Sequence, residues 1–483
     1  MHDPVTHTPH EDDATEHVRQ HPMFTLMILG LGALSYVLLQ SAVIPALSDF
    51  QHSLHTSENG ATWILTANLL AASVATPILG RLGDMYGKER MLLATYVVLT
   101  AGTLMAALVD SIGLLDVARA VQGIGGGIFP LAFGIIRDEF PRERVAGAIG
   151  LLSAIFGIGG GLGIVLGGLI VEHLSWHWLF WLPLVALVAA AALTARFVPE
   201  SPIRVPGRVN WLGAVLMAVG IAAVLLSVSE ATTWGWGSTK TIGLLVAGLA
   251  VCAAWVVAEL RAPEPLVDMA MMRLKGVWTT NLAGFLLGGG MYASFVLVPQ
   301  LVEAPRSTGY GFGASVLVGG VYLLPSTLTM LAFGVMAGPL AGRFGSKRML
   351  VAGAIVGAAS FAMLTFAHAH PWEIYVSSGL LGAGIGLAFA AMGNLVVQAV
   401  PPEQTGVATA VNTLMRSVGG AVGSQIAATL VAAHVLANGF PAEHGYVLAF
   451  LTSFGFLVVC VFASLLVPAR TQYERSVAPA QAT

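Results

Sequence analysis

The sequence predicts an all-α integral membrane protein: two six-helix bundles plus two inserted helices, fourteen transmembrane helices in all. Three observations lead to this fold class: the excess of apolar residues, a regular series of long apolar runs, and a repeat shared by two polar links. Of the 483 residues, 56% are hydrophobic and only 10% are charged. Soluble globular proteins carry about 25% charged residues, so we expect most of this chain to be embedded in a lipid bilayer.

Each membrane helix is predicted from an apolar run of suitable length. A bilayer core about 30 Å thick requires about 20 apolar residues per helix. The candidate runs are residues 24–47, 62–82, 91–109, 112–136, 146–170, 178–197, 211–229, 241–260, 278–302, 314–337, 349–367, 373–398, 406–436 and 446–467. The predicted organisation is a disordered cytoplasmic tail (1–22), an N-terminal six-helix bundle (23–200), two additional helices with their links (201–277), a C-terminal six-helix bundle (278–468) and a second cytoplasmic tail (469–483).

The basic residues predict the orientation of these helices. Lys and Arg concentrate in the links that follow the even-numbered runs, whereas the links on the other side hold only Lys240 and Arg306. Loops rich in Lys and Arg face the cytoplasm. We therefore expect a multi-pass protein of the cell (plasma) membrane with both termini in the cytoplasm. Arg119 and Arg416 are exceptions, because both fall inside predicted helices.

Two polar links repeat one pattern. The link after the second run, Gly80–Arg90, reads GRLGDMYGKER, and the link after the tenth, Gly338–Arg348, reads GPLAGRFGSKR. Repeated halves around a central site are common in membrane transporters, and this repeat places the seventh and eighth runs between the halves. We expect the Asp84 carboxylate, close to basic residues and helix ends, to form a cytoplasmic latch that breaks and reforms. The second copy has Gly342 at the position of Asp84.

The fourth run contains a cation and an acid one helical turn apart. A charged side chain near the bilayer centre costs on the order of 3 kcal/mol on insertion scales unless it is paired or hydrated. Arg119 is therefore a candidate functional residue, and Asp116 lies three residues earlier on the same helix face. Protonation of Asp116 would release Arg119 and couple proton binding to conformation. In the alternative interpretation, Asp116 is hydrated at the outer end and Arg119 satisfies only backbone carbonyls.

The fifth run carries a ridge of glycines on one face. Gly159, Gly163 and Gly167 recur at positions i, i+4 and i+8. Such a ridge permits close helix packing or bending. Taken alone, it is equally compatible with packing and with a role in conformational change.

Together these motifs resemble those of the major facilitator superfamily, and in particular its fourteen-helix drug:proton antiporters. The first link fills the pattern G-x-L-x-D-x-x-G-x-x-R with Gly80, Leu82, Asp84, Gly87 and Arg90. The fourth run fills R-x-x-Q-G-x-G with Arg119, Gln122, Gly123 and Gly125. The glycine ridge resembles the antiporter motif of the fifth helix, with Ile164 where that motif has proline.

The resemblance implies a secondary active transporter that exports small amphipathic drugs or metabolites by proton antiport with alternating access, and so confers antibiotic resistance. Its expected partners are a small-molecule substrate, protons and the lipid bilayer. Ile164 departs from the family pattern, and Gln40 occupies the neighbourhood where many members carry an acid in the first helix. Alternatives therefore stay open: a facilitator or importer of the same fold without proton coupling, or a non-transporting membrane sensor.

Polar residues inside the predicted helices are candidates for lining a central cavity. They are Tyr36, Gln40, Asn68, Gln122, Asn281, Tyr292, Asn394 and Arg416. Most intramembrane amides bond neighbouring helices, so a single amide is a weak indicator of a binding site. Arg416 stands out as a second cation inside a helix.

Other function classes lack support in the sequence. The phosphate-binding pattern G-x-x-x-x-G-K-[ST] is absent, which argues against ATP hydrolysis by this chain. A net charge of −3 without a basic stripe gives no indication of a nucleic-acid partner. His and carboxylate residues do not converge within the helices, so we expect no enzyme activity, metal or cofactor.

Overall fold

The computed structural model describes residues 22–201, 207–436 and 439–468. Over this part of the chain the structure is helical apart from short links and one isolated β-bridge between Val435 and Pro441. The predicted tails 1–22 and 469–483 lie outside the described residues, except for Pro22, which begins the first helix.

The first eight helices run from residue 22 to residue 197. They are α1 (Pro22–Ser41), α2 (Leu47–Ser53), α3 (Glu58–Tyr86), α4 (Lys88–Leu108), α5 (Ile112–Gly123), α6 (Ile128–Glu139), α7 (Arg142–His173) and α8 (Trp178–Phe197). We call this part the N-terminal half.

The next four helices form the middle of the chain. They are α9 (Trp211–Ser229), α10 (Ala231–Trp234), α11 (Thr239–Arg261) and α12 (Met269–Arg273). The remaining helices, which we call the C-terminal half, are α13 (Lys275–Met291), α14 (Ser294–Glu303), α15 (Val316–Val321), α16 (Leu324–Val335), α17 (Ala337–Phe344), α18 (Ser346–Phe366), α19 (Pro371–Ala399), α20 (Thr405–Ala432) and α21 (Glu443–Leu466).

Among the described residues, thirteen helical segments are long and apolar enough to cross a membrane. Each coincides with one of the predicted runs, so the prediction of an all-helical membrane protein is confirmed. The remaining predicted run corresponds to α20, a helix of 28 residues that is not among the thirteen. Its sequence contains Asn412, Arg416 and several hydroxyl side chains, which lower its hydropathy.

The apolar core separates into clusters that follow the chain. One cluster consists almost entirely of residues between Leu26 and Val198, and a second of residues between Ala283 and Val467. A third joins α9 to α20 and includes Met217 and Val411. The helix α9 also packs against α3, so it contacts both halves.

Glycines decide where several of these helices break or approach one another. Gly87 ends α3 with φ +112° and Gly345 ends α17 with φ +81°, a backbone conformation that favours glycine. This requirement explains why both copies of the repeated link carry glycine there. Between α5 and α6 the glycine-rich segment Ile124–Gly127 forms a 3-10 turn that packs closely on α3.

Candidate functional site

Arg119 is completely buried in α5 and binds backbone carbonyls of two other helices. Its Nε donates to the Ile64 oxygen of α3 at 3.1 Å, and its Nη1 donates to the Leu39 oxygen of α1 at 3.0 Å. Nη1 also donates to Gln122 Oε1 at 2.6 Å. The guanidinium therefore joins three helices of the N-terminal half, but its buried Nη2 has no hydrogen-bond partner among the described residues.

The residues around Arg119 hold it in place. Gln122 Nε2 donates to Thr103 Oγ1 of α4 at 3.2 Å, which fixes the amide that receives Arg119. Asn68 Nδ2 donates to the Arg119 backbone oxygen at 3.2 Å. Of the predicted polar candidates, Gln122 thus binds the guanidinium of Arg119, and Asn68 binds its backbone.

Asp116 is half-buried one turn before Arg119, and the structure does not join the two side chains. Within the described residues no ion pair links Asp116 to Arg119, and the buried Asp116 Oδ1 has no hydrogen-bond partner. Arg119 instead binds carbonyls, as the alternative interpretation of this motif expected. Asp116 is also not among the residues that line the central cavity.

A central cavity of about 270 Å³ lies between the two halves. Its wall is largely apolar, with Phe156, Met291, Met330 and Phe389 among the larger side chains. The polar residues of the wall are Gln40, Ser41, Thr66, Arg119, Tyr292 and Ser424. Arg119 is the single charged residue, and no carboxylate lines the cavity in the described part of the chain.

Tyr292 reaches this cavity because the helix is interrupted beside it. Helix α13 ends at Met291 and α14 begins at Ser294, which leaves Tyr292 at the break. Broken helices at the membrane midplane expose polar groups to transporter binding sites. The break therefore places a phenol at the cavity wall contributed by the C-terminal half.

Arg416 of α20 lies beside the aromatic wall of the cavity. Its guanidinium carbon is 4.1 Å from the ring centroid of Phe389 and 5.3 Å from that of Phe156. The side chain is only 6% exposed, and its Nε has no hydrogen-bond partner among the described residues. Cation–π contacts thus take the place of an anionic partner.

Contacts between the halves close one end of the molecule, which we call the motif end because the Gly80–Arg90 link lies there. Asp84 Oδ1 accepts the Gly406 N–H at 3.2 Å, and Oδ2 accepts the Val407 N–H at 3.1 Å. Asp84 therefore caps the N-terminus of α20, where backbone donors and the helix dipole favour an anion. Gly80 permits this approach, since a Cβ there would lie 2.6 Å from the Gly406 oxygen.

Several charged residues that the sequence analysis did not single out complete the motif end. Lys88 Nζ is buried 2.6 Å from Asp138 Oδ2 and 3.7 Å from Asp84 Oδ1. Arg137 Nη2 donates to the Val400 oxygen at 2.9 Å, across to the end of α19. The sequence marks Lys88 and Arg137 only as part of basic links, because Asp138 and Val400 lie 50 and 263 residues away from them in the chain.

Glu200 positions the start of α4. Its carboxylate accepts the backbone N–H groups of Glu89 at 3.3 Å and Arg90 at 3.4 Å, and Arg90 Nε lies 3.4 Å from Oε2. Arg90 of the predicted latch therefore contacts Glu200, just after the N-terminal half, whereas Asp84 contacts the C-terminal half.

The second copy of the link closes the same end by packing alone. Gly338 approaches Gly147 of α7 so closely that a Cβ on Gly338 would lie 2.8 Å from the Gly147 Cα. A Cβ on Gly342 would meet nothing within 4 Å among the described residues. Helix α7 begins at Arg142, so the N–H of Gly147 bonds to a carbonyl of the same helix. Helix α20 begins at Thr405, so the N–H groups of Gly406 and Val407 have no acceptor within their helix and can bind a carboxylate.

The glycine ridge of α7 faces α1 within the N-terminal half. A Cβ on Gly159 would meet Val37, one on Gly163 would lie 1.9 Å from Ser41 Oγ, and one on Gly167 would lie 2.3 Å from the Ala42 oxygen. The corresponding glycines of α20 pack against α13 in the same manner, with Gly423 touching Gly289.

The other predicted candidates are divided between the cavity and the helix contacts. Gln40 lines the cavity, and Tyr36 is buried against Gly125. Asn281 Oδ1 accepts from Asn412 Nδ2 at 3.0 Å, and Asn394 Nδ2 donates to the Ala146 oxygen at 3.3 Å. These two amides bond neighbouring helices.

Comparison with known proteins agrees with this architecture. The Major Facilitator Superfamily matches residues 29–209 and 280–482. Two solved structures share the fold at 15% identity: the human organic anion transporter MFSD10, with a TM-score of 0.66 over 92% of this chain and all of that chain, and the proton:xylose symporter XylE, with a TM-score of 0.67 over 95% and 99%.

Curated relatives are similar over most of the chain. The Tetracenomycin C resistance and export protein of Streptomyces glaucescens is 30% identical over 89% of this chain and 79% of its own length. Multidrug resistance protein 3 of Bacillus subtilis is 26% identical over 86% and 81%. An MFS-type transporter of Mycobacterium tuberculosis is 29% identical over 84% of this chain, which spans only 59% of that protein. The family and these relatives indicate a transporter rather than an enzyme, and the chain belongs to the Major Facilitator Superfamily.

Proposed function

We propose that this protein is a secondary active transporter that exports small amphipathic molecules across the plasma membrane. The observation that carries the proposal is Arg119, a buried cation in the wall of a central cavity, with one nitrogen unpartnered among the described residues. A charge kept inside a membrane helix indicates function. The names of the resistance and export relatives support an exported substrate.

In this proposal the chain crosses the membrane fourteen times. Helix α20 is the span that raises the thirteen to fourteen: its 28 residues extend about 42 Å at 1.5 Å per residue, and it packs against α13, α3 and α21. Helices α9 and α11 are inserted between the six-helix halves. The motif end and both termini would lie in the cytoplasm, as the basic links predict.

Alternating access would operate through the contacts that close the motif end. Asp84 and Arg137 bind backbone groups of the opposite half. Backbone donors and acceptors at helix ends can be hydrated when the halves separate, so these bonds can be exchanged for water. The Gly80–Gly406 and Gly147–Gly338 approaches carry no hydrogen bond and add only packing. We therefore assign this end as the cytoplasmic gate, closed in the described conformation.

Proton antiport is the coupling that we propose, with Asp116 as the proton site. Its Oδ1 is unpartnered among the described residues and lies one turn from Arg119. Deprotonation of Asp116 would attract the free side of the guanidinium and alter its bonds to α1 and α3. A facilitator without proton coupling is the second candidate, and the lack of any carboxylate among the described cavity residues favours it.

Reconstituted protein tests these proposals directly. The protein is placed in liposomes with a pH-sensitive dye inside, and dansylated probes of different charge are added under an imposed proton gradient. Antiport predicts that a transported probe drives proton movement in the opposite direction and that Asp116→Asn abolishes this exchange. The facilitator predicts equal probe flux with and without the gradient.

Substitution of Arg119 tests whether this buried cation is needed for transport. Arg119→Gln should reduce probe flux at least about tenfold, because loss of one charge-assisted bond costs about 1.5–3 kcal/mol. Lys240→Gln is the matched control, since Lys240 is exposed and distant from the cavity. Unchanged flux in Arg119→Gln protein that is folded and monodisperse would refute a transport role for Arg119 and favour a non-transporting sensor.

A further inference from the structure

The charges around the central cavity have one sign. Arg119 lines the cavity, Arg416 lies directly behind the Phe389 ring, and no carboxylate lines the wall in the described part of the chain. Building on the proposed function, we infer that the transported molecule is an organic anion: a small apolar, preferably aromatic body with one acidic group that binds Nη2 of Arg119.

Arg119 has one unsatisfied donor that such a group could bind. Nε and Nη1 are used by the Ile64 oxygen, the Leu39 oxygen and Gln122, whereas Nη2 has no protein partner among the described residues. Leaving a buried charged donor without a partner is unfavourable. A carboxylate or sulfonate would supply the missing acceptor and form a charge-assisted bond. Asp116 does not fill this role in the described structure.

The remainder of the cavity suits the apolar part of such a molecule. Phe156, Met291, Met330 and Phe389 provide aromatic and thioether surfaces, which adapt to ring systems. The volume of about 270 Å³ is just below the usual range for small-molecule sites, about 300–1,000 Å³. We therefore expect a substrate of one or two rings.

The second cation strengthens the preference for an anion. Arg416 is 4.1 Å from the Phe389 centroid and has no ion pair within the described residues. Two positive charges, with no carboxylate in the described cavity wall, repel a cationic substrate and attract an anionic one across a medium of low dielectric constant.

An anionic substrate also changes the driving force of export. A membrane potential of 100 mV, negative inside, is worth about 2.3 kcal/mol for each charge that leaves the cytoplasm. This alone corresponds to roughly 50-fold accumulation outside, since each 1.4 kcal/mol is a factor of ten. The potential can therefore drive export even where no proton is exchanged.

Three probes with one fluorophore test the inference: dansylglycine (anionic), dansylamide (neutral) and dansylcadaverine (cationic). Binding is measured by dansyl fluorescence on the full-length protein in nanodiscs. One charge-assisted bond predicts that dansylglycine binds at least about tenfold more tightly than dansylamide, with dansylcadaverine the weakest. Equal affinities, or the reverse order, would overturn the inference.

Substitutions of Arg119 and Arg416 test whether these two cations cause the preference for dansylglycine over dansylamide. Arg119→Gln should bring dansylglycine within about threefold of dansylamide, while Lys240→Gln should keep the wild-type preference. Arg416→Gln removes the cation beside the Phe389 ring, and it should reduce the preference without abolishing it. Because the wild-type comparison of the probes needs no substitution, the inference stays testable even where Arg119→Gln fails to fold.

Measurements of probe flux distinguish a failure of this inference from a failure of the proposed function. In liposomes with a potassium diffusion potential, dansylglycine should move toward the positive side faster than dansylamide in the wild type. Transport of all three probes without charge preference would refute the inference and leave the transporter intact. Selective binding of dansylglycine without flux of any probe under a potential or a proton gradient would refute the proposed function and retain the anion site.

Discussion

The Asp84 carboxylate offers a quantitative test of how the motif end is held closed. Its two oxygens accept the N–H groups of Gly406 and Val407 at 3.2 and 3.1 Å. Asp84→Asn keeps the shape of the side chain but removes the charge and one acceptor. Loss of one charged hydrogen bond costs about 1.5–3 kcal/mol, and loss of the anion at the helix N-terminus adds about 0.3–1 kcal/mol. The closed state should therefore lose roughly 2–4 kcal/mol, and the ratio of open to closed molecules should rise roughly 30- to 800-fold.

The labelling rate of a buried cysteine measures this ratio. Ala410 of α20 is fully buried beside Gly80 at the closed end, so Ala410→Cys reports opening in a protein whose Cys252 and Cys460 have been replaced. When closing is faster than labelling, the rate with a maleimide is proportional to the open population. Asp110→Asn at the exposed opposite end is the control and should leave the rate unchanged. A rise of less than about threefold in Asp84→Asn would refute the role of this carboxylate as a latch.

Other glycines and acids provide further tests. Gly80→Ala should increase labelling in the same assay because its Cβ would lie 2.6 Å from a backbone oxygen, whereas Gly342→Ala, which meets nothing within 4 Å in the described structure, should match the wild type. Gly160 lines the cavity, so Gly160→Leu should weaken dansyl-probe binding at least about fivefold as it fills part of the space, while the melting temperature stays near that of the wild type. Gly163→Val should lower the melting temperature in detergent, because overpacking against Ser41 costs about 1–3 kcal/mol. Asp116→Asn should flatten the pH dependence of probe flux, and an unchanged pH profile would exclude Asp116 as the proton site.

Much of the fold follows from local properties of the sequence. The lengths of the apolar runs predict the thirteen helical segments that the structure contains, because a bilayer core demands about 20 apolar residues for each crossing. The glycine at the eighth position of each repeated link is required by a positive φ at Gly87 and Gly345. The number of fourteen spans stays a prediction, because α20 is too polar to be recognised by hydropathy.

The site was only partly predictable, for a physical reason. The cost of a buried charge identifies Arg119 as exceptional, but the i, i+3 spacing gives only proximity to Asp116 and does not give the direction of either side chain. The bonds of Arg119 to the Ile64 and Leu39 oxygens depend on how three helices pack. The contact of Arg137 with Val400 likewise joins residues far apart in the chain, and one sequence holds no signal for such a pairing.

The position of α9 has a mechanical consequence. Its apolar face, including Met217 and Leu225, packs in one cluster with Val411 of α20 and Leu70 of α3. These two helices belong to opposite halves, so α9 bridges the seam along which the halves would part. Thr232, just beyond α9, adds a 2.7 Å hydrogen bond from Gln425. If the two halves rock against each other, they must pivot about α9, or α9 must lose its contact with one half. We therefore expect the flank that carries α9 to open less than the opposite flank. Such a motion is a hinge rather than a symmetric separation.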